Sequence, residues 1–176
     1  RALNVYAIGQ LEKENMDEHI IEVPGKGYVI AIPYVNERNL PEGFFQQLLD
    51  KTAAMNTEGL PVVMTAHTTV KGCDFLGHDQ GTEYVVGGID SIDLEQLGEG
   101  YDYLALGHIH HGQVIHSGRH NVRYSGTPLP ISFDETFSHS VSMVEIDKHS
   151  DTPSVTEIEI TNIHPLVTLP SEGLAP

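Results

Sequence analysis

The sequence predicts an α/β fold, in which mixed β-sheet layers of a sandwich are flanked by helices. Three observations carry this reading. β-Branched and aromatic runs recur with turn residues between them, and an amphipathic segment at helical spacing interrupts them. Two further apolar runs lack the alternation of a half-solvated strand, and each ends in histidine: His67, and Gly107-His108-Ile109-His110.

Residues 4–8, 19–23 and 28–32 read as strands, the last two joined by the turn Pro24-Gly25-Lys26-Gly27. The strongest helix follows. Asn39 is placed to cap it, Glu42 stands three residues on as in a capping box, and Pro41 falls in the first turn. Phe44, Phe45, Leu48, Leu49 and Ala53 make one apolar face that runs to Met55. Residues 62–66 then form a strand expected to be buried on both faces. Residues 68–82 are Gly-rich and polar, a long loop beside His67, and such loops are functional or mobile. A short helix at 94–97 precedes the strand at 101–106. Residues 113–116, 121–125, 140–146 and 155–160 read as further strands, separated by turns such as Ser117-Gly118-Arg119-His120.

At 176 residues the chain suits one domain with a real core. No apolar stretch approaches the length of a membrane span and no signal-peptide pattern is present, so a cytoplasmic location is expected. The single cysteine, Cys73, excludes an internal disulfide and fits a reducing compartment. Without a second thiol nearby it reads as a small loop residue instead of a zinc ligand. The balance of 25 acidic against 9 basic residues gives a net charge of −16. Such a surface repels a phosphodiester backbone, so any DNA chemistry must draw its positive field from metal ions or from other protein segments.

The histidines supply a reason to consider metals. A strand end is rigid, so a ligand placed there is held at little entropic cost, and neutral imidazole is the commonest protein ligand for Mn, Fe and Zn. Two strand ends delivering three histidines suggest a metal site at the sheet's edge, though one that lacks part of its ligand set. His-x-His spacing can serve adjacent ions about 3.5–4 Å apart, as in two-metal hydrolases. Taken alone, His67 reads as a strand-end histidine bonded to a carbonyl, whereas His108 and His110 together read as ligands.

An ordered series of short motifs adds to this. It comprises Thr65-Ala66-His67-Thr68-Thr69-Val70, Gly87-Gly88-Ile89-Asp90, the run from Tyr101 through His110, Val122-Arg123-Tyr124-Ser125-Gly126-Thr127-Pro128-Leu129, Ser132-Phe133-Asp134-Glu135 and Val141-Ser142-Met143-Val144-Glu145-Ile146. The series resembles the second half of the nuclease domain in SbcD-type exonuclease subunits, which are calcineurin-like metallophosphoesterases. The resemblance implies a partial sandwich of that kind, without its N-terminal half. His67 and His108 would match ligands of the family's second metal, and His110 a ligand of the first. The implied cofactors are two divalent metals, Mn in particular. The implied activity is hydrolysis of DNA phosphodiester bonds in double-strand-break and hairpin processing. The implied partners are DNA, an SbcC-like SMC-type ATPase and a second copy of the whole subunit.

The family's Asp-x-His, Gly-Asp-x-x-Asp and Gly-Asn-His-Asp/Glu motifs are not found in this chain, and Asp147-Lys148-His149 closes a late strand instead of opening a domain. By this reading residues 1–162 are the C-terminal portion of the nuclease domain and 163–176 begin a linker or cap. The chain alone is then expected to be inactive, with weak or single-ion metal binding, and to expose apolar sheet surface that invites self-association.

The neighbouring residues carry two readings each. Asp102 orients a histidine or caps the turn before its strand. Arg123, Ser125 and Thr127 line the site or follow from a strand and its Gly-Thr-Pro turn. Asp134 and Glu135 reach the metals or belong to a solvated loop, with the loop preferred. His111 is expected to be solvated, and His116, His120, His139 and His149 to lie at the surface. His78 contacts substrate or is solvated in its loop. Two other functions stay open: another calcineurin-like phosphoesterase acting on small phosphodiesters or phosphoproteins, and a non-catalytic docking module.

Overall fold

The computed structural model describes residues 5–35, 39–75, 91–115, 121–147, 150, 152–163 and 165–167. Strands β1 (Ile20–Val23) and β2 (Gly27–Ile32) form an antiparallel pair that opens one sheet. Glycine is required at position 27, because a Cβ there would lie 2.4 Å from the carbonyl oxygen of Pro61. That same oxygen accepts the Tyr28 N–H at 2.8 Å, so the close approach is part of the sheet's bonding. Helix α1 (Phe44–Met55) connects β2 to β3 (Val62–His67), and β4 (Tyr103–Gly107), β5 (Gln113–Val114) and β6 (Val122–Tyr124) follow. The sheet order is β1-β2-β3-β4-β6-β5. Its four central strands are parallel, and β1 and β5 run antiparallel at the edges.

Register explains the core. Ile30, Met64, Leu104 and Val122 lie side by side across the parallel strands, and each is fully buried. They belong to one apolar cluster with Phe44, Phe45, Leu48 and Leu49 of α1. Truncating Ile30, Met64 or Leu104 of that row to alanine is a change that costs about 2–5 kcal/mol in well-packed cores. The opposite face carries smaller residues. Val29, Ala31, Val63, Thr65 and Ala105 alternate with the core positions and are only half-buried, so the strand at 62–67 is not covered on both faces as expected. A second, two-stranded ladder, β7 (Ser140–Glu145) with β8 (Ser154–Glu159), is tied to the main sheet by Arg123 of β6. The buried guanidinium donates to the Ser142 hydroxyl at 3.0 Å and pairs with Glu157.

Three other local expectations are corrected. The helix starts at Phe44, not near Asn39. Its N-cap is Gly43, held in the left-handed region at φ 66°, with no side-chain cap bond. Glycine tolerates that conformation without a Cβ clash, and the turn it makes displaces the start signal four residues downstream. The apolar face ends in Thr52, which buries its hydroxyl by donating to the Leu48 carbonyl at 2.8 Å, whereas Ala53 is exposed. Residues 5–8 form no strand, and Val5 is exposed. Among the described residues no helix is long and apolar enough to cross a membrane.

The long segment after β3 is pinned where it is described. Thr68, Thr69 and Val70 are buried, Val70 bridges Ile92 in parallel, and Cys73 is buried against the core. Residues 76–90 lie outside the described residues, as do His78, His116, His120 and His149.

Candidate metal centre

Parallel strands present their C-terminal ends at one edge of a sheet, and in open α/β sheets ligands bind outside that edge. Here β3 ends in His67, which pairs in register with Gly107 at the end of β4. The next residue is His108, and its ring centroid lies 5.2 Å from that of His67, at 65°. Gly107 makes room for the arrangement: a Cβ there would sit 3.1 Å from His67 Nδ1. His108 itself has φ 100°, the one positive φ outside glycine among the described residues. Such strain costs of the order of 1–3 kcal/mol and persists where surrounding structure enforces it, often at functional sites. The enforcement is visible in the next residue, since Ile109 is buried in the core between two histidines that stay at the surface layer.

His110 completes the set. Its carbonyl accepts the Thr127 N–H at 2.9 Å, and its Nδ1 lies 2.9 Å from Glu135 Oε1. Gly126, at φ 75°, lets the loop come this close, because a Cβ on it would lie 2.6 Å from the His110 oxygen. His67 and His110 are close enough for their charges to interact. Burial first, and His110 second, push the His67 imidazole below its ordinary value of 6.5. The ring is therefore neutral, and able to donate its lone pair, to a lower pH than a free histidine. Below 6.5 the unfolded chain binds this proton more readily than the folded one, so the contribution to stability is lost as pH falls from 6.5 toward the folded midpoint. Titration followed by NMR should give a His67 midpoint below 6.5, raised but not normalised by His110→Ala. A midpoint at or above 6.5 in the parent would contradict this.

A third strand end contributes Tyr34, just beyond β2. The residue is 63% exposed, and its ring centroid lies 6.0 Å from that of His67 and 6.1 Å from that of His108. Neutral imidazoles from adjacent strands suit a divalent ion, which is the fit the donor chemistry offers. Among the described residues, however, no group of three or more His, Cys, Asp or Glu side chains is assembled as a metal-holding cluster. His67 and His108 form the close pair, and His110 stands beside them, held by Glu135.

The remaining candidates separate. Asp102 lies at the start of β4, the end away from the histidines. Its carboxylate accepts the Val62 N–H at 2.7 Å while its own N–H donates to the Val62 carbonyl at 2.8 Å, so it caps the strand starts and orients none of the described histidines. Ser125 is exposed just after β6, and its N–H donates to the Leu106 carbonyl at 3.4 Å. Asp134 is exposed and accepts from Ser132. Three expectations are overturned. Glu135 and His139 are buried instead of solvated, and His111 packs on Phe137 with ring centroids 4.7 Å apart. Glu135 is the residue that sequence reasoning placed on the wrong side. Its only signal was membership of the ordered motif series, since nothing local marks a loop glutamate as buried. His19 offers a contrast: fully buried, it faces the Ala31 carbonyl through Nδ1 and accepts the Glu12 N–H at Nε2, a core histidine satisfied at both nitrogens.

No protein-family profile matches the chain. Three curated proteins similar to it are each named as the SbcD component of the nuclease SbcCD. The Rhodobacter capsulatus protein is 27% identical over 204 aligned positions, covering all of this chain and 49% of the relative. The Bacillus subtilis protein is 30% identical over 168 positions, covering 84% of this chain and 42% of the relative. The Escherichia coli K12 protein is 36% identical over 90 positions, covering 51% of this chain and 22% of the relative. The chain thus spans half or less of the length of these relatives.

A mixed α/β sheet with histidines gathered at the C-terminal ends of its parallel strands is compatible with part of a calcineurin-like metallophosphoesterase sandwich. Joined to the similarity along its length, this places the class of protein. The chain is similar to SbcD-type nuclease subunits along most of its length and corresponds in extent to part of such a protein.

Proposed function

We propose that residues 1–162 are the C-terminal portion of an SbcD-type nuclease domain, with 163–176 opening the linker to a cap. The whole protein hydrolyses DNA phosphodiester bonds with two divalent metals, Mn in particular, in repair and recombination. It works in the cytoplasm as a homodimer with an SbcC-like SMC-type ATPase. The observation that carries this is the pairing of the His67 and His108 rings at neighbouring strand ends, inside the stretch similar to the SbcD relatives.

When bound, the metals supply activation of the attacking water and neutralisation of the phosphoryl oxygens. This chain's own residues do the holding. His67, kept neutral by burial, and His108, fixed by its strained backbone, present two lone pairs from rigid strand ends. His110 adds a third from the adjoining turn. Three neutral imidazoles carry no charge to offset a divalent pair, so this chain alone binds one ion weakly and turns over little or no DNA. With a net charge of −16, its attraction for the substrate backbone comes from the metals and from segments outside it.

The test compares this chain with the whole protein from the same gene, with Mn2+, on linear duplex DNA and on a small chromogenic phosphodiester. The expected result is DNA cleavage by the whole protein and activity at background for this chain. Robust DNA cleavage by this chain would show that the missing motifs are dispensable. Cleavage of the small diester alone by the whole protein would favour a different phosphoesterase, and no cleavage by either, a docking module.

A further inference from the structure

Glu135 lies in the loop between β6 and β7, and its side chain is 0% exposed. Burying a carboxylate is costly unless it is hydrogen-bonded, so its partners indicate what it serves. Oε2 accepts the Ile131 N–H at 3.2 Å and the Thr127 hydroxyl at 3.4 Å. Oε1 faces His110 Nδ1 at 2.9 Å. Behind the carboxylate, His139 bonds the Thr127 carbonyl through Nδ1 at 3.0 Å, and its Nε2 stands 3.8 Å from Glu135 Oε2, beyond hydrogen-bond distance. The polar connections of Glu135 therefore run to its own loop and to one imidazole nitrogen of the candidate centre.

A carboxylate is an acceptor, so a bond of this length to Nδ1 requires that nitrogen to carry the proton. In a neutral ring the lone pair is then on Nε2, the nitrogen on the other side from Glu135. We propose that Glu135 is a positioning residue: it locks His110 in the Nδ1–H tautomer and fixes its ring so that Nε2 is the metal-binding atom. Carboxylate partners of this kind set ligand orientation and basicity in metal sites. The inference rests on the reading of His110 as a ligand. It also gives the 127–135 loop a purpose, since Thr127, Ile131 and Glu135 together form the support on which His110 turns.

The test uses 15N-labelled chain without metal, above the imidazole titration range, with long-range 1H–15N correlation of the histidine side chains. The expected result is a single His110 tautomer with the proton on Nδ1. In Glu135→Ala the ring should shift toward the Nε2–H form. Mn2+ affinity, read by equilibrium dialysis, should fall by about 10–100-fold. A parent His110 that carries its proton on Nε2, or that averages the two forms, overturns the proposal without recourse to any variant. So does a folded Glu135→Ala chain with parental Mn2+ affinity, because the bond would then be structural only. Glu135→Gln checks the chemistry if alanine fails to fold. Its amide nitrogen faces either the Ile131 N–H or the His110 N–H, so the carboxylate's hold on the Nδ1–H form should weaken and the Nε2–H population should rise. A parent that takes up no Mn2+ at all marks the failure of the metal reading, and the tautomer recorded without metal keeps the two failures distinct.

Discussion

Replacing His108 with glycine should leave the fold at least as stable as the parent while removing most of the Mn2+ affinity. The backbone at this residue has φ 100°, where any side chain strains against its own carbonyl. The penalty is of the order of 1–2 kcal/mol for an L-residue and close to nothing for glycine. Glycine gives back part of the gain through the greater freedom of the unfolded chain, about 0.5–1 kcal/mol. The rings lost from contact, those of His67 and Tyr34, lie in a partly open edge, so little burial is forfeited. His108→Ala supplies the sharper comparison, since it removes the ring and keeps the Cβ. At an ordinary strand or helix position alanine is the more stable of the two; here the order should reverse. Urea denaturation reads stability and calorimetric titration reads Mn2+ binding. The affinity should drop by at least about 100-fold in both variants, the upper end of what losing a mere supporting partner costs. Alanine more stable than glycine, or affinity unchanged, would remove the functional explanation of the strain.

The second large effect concerns Tyr124. Its hydroxyl donates to the Thr68 carbonyl at 2.7 Å and accepts the Val70 N–H at 2.8 Å, all within the core. Burial holds the phenol well above its usual titration range, so it stays a neutral hydroxyl to higher pH than a free tyrosine. This one group satisfies two backbone atoms of the segment that leaves His67, and it does so from β6, two strands away in the sheet. Tyr124→Phe deletes only the oxygen and leaves a buried donor and a buried acceptor unpaired. The expected loss is about 2–3 kcal/mol, following the cost of unsatisfied buried groups. Amide exchange at Val70 should accelerate beyond the global effect, because the segment loses its anchor as well as its bond. A loss below about 0.5 kcal/mol would mean that the segment is held by other contacts.

These two residues illustrate what the sequence made legible. The strand ends at His67 and Gly107, and the alternation that turns Ile109 inward between two histidines, follow from local pattern. The helix face at Phe44, Phe45, Leu48 and Leu49 follows in the same way. Pattern failed where tertiary packing sets the outcome. The capping signal at Asn39 and Glu42 does not start the helix, since Gly43 makes the turn that does. Asp102 precedes the strand leading to the histidines, yet along a strand the chain advances about 3.3 Å per residue, so a residue at its start stands far from one at its end. Glu135 and His139 are polar residues in a loop without apolar periodicity, and only the fold of that loop onto His110 buries them. Tyr34 followed a strand end and carried no motif at all.

The central claim is that the imidazoles of His67, His108 and His110 serve one metal centre. Paramagnetic broadening tests it directly: Mn2+ is added in substoichiometric steps to the labelled chain, and the histidine side-chain signals are followed one by one. The account predicts that those three rings broaden first and together, ahead of the ring of His139, and that EDTA restores them. Uniform weak broadening of all histidines, or a response led by rings other than these, would contradict it.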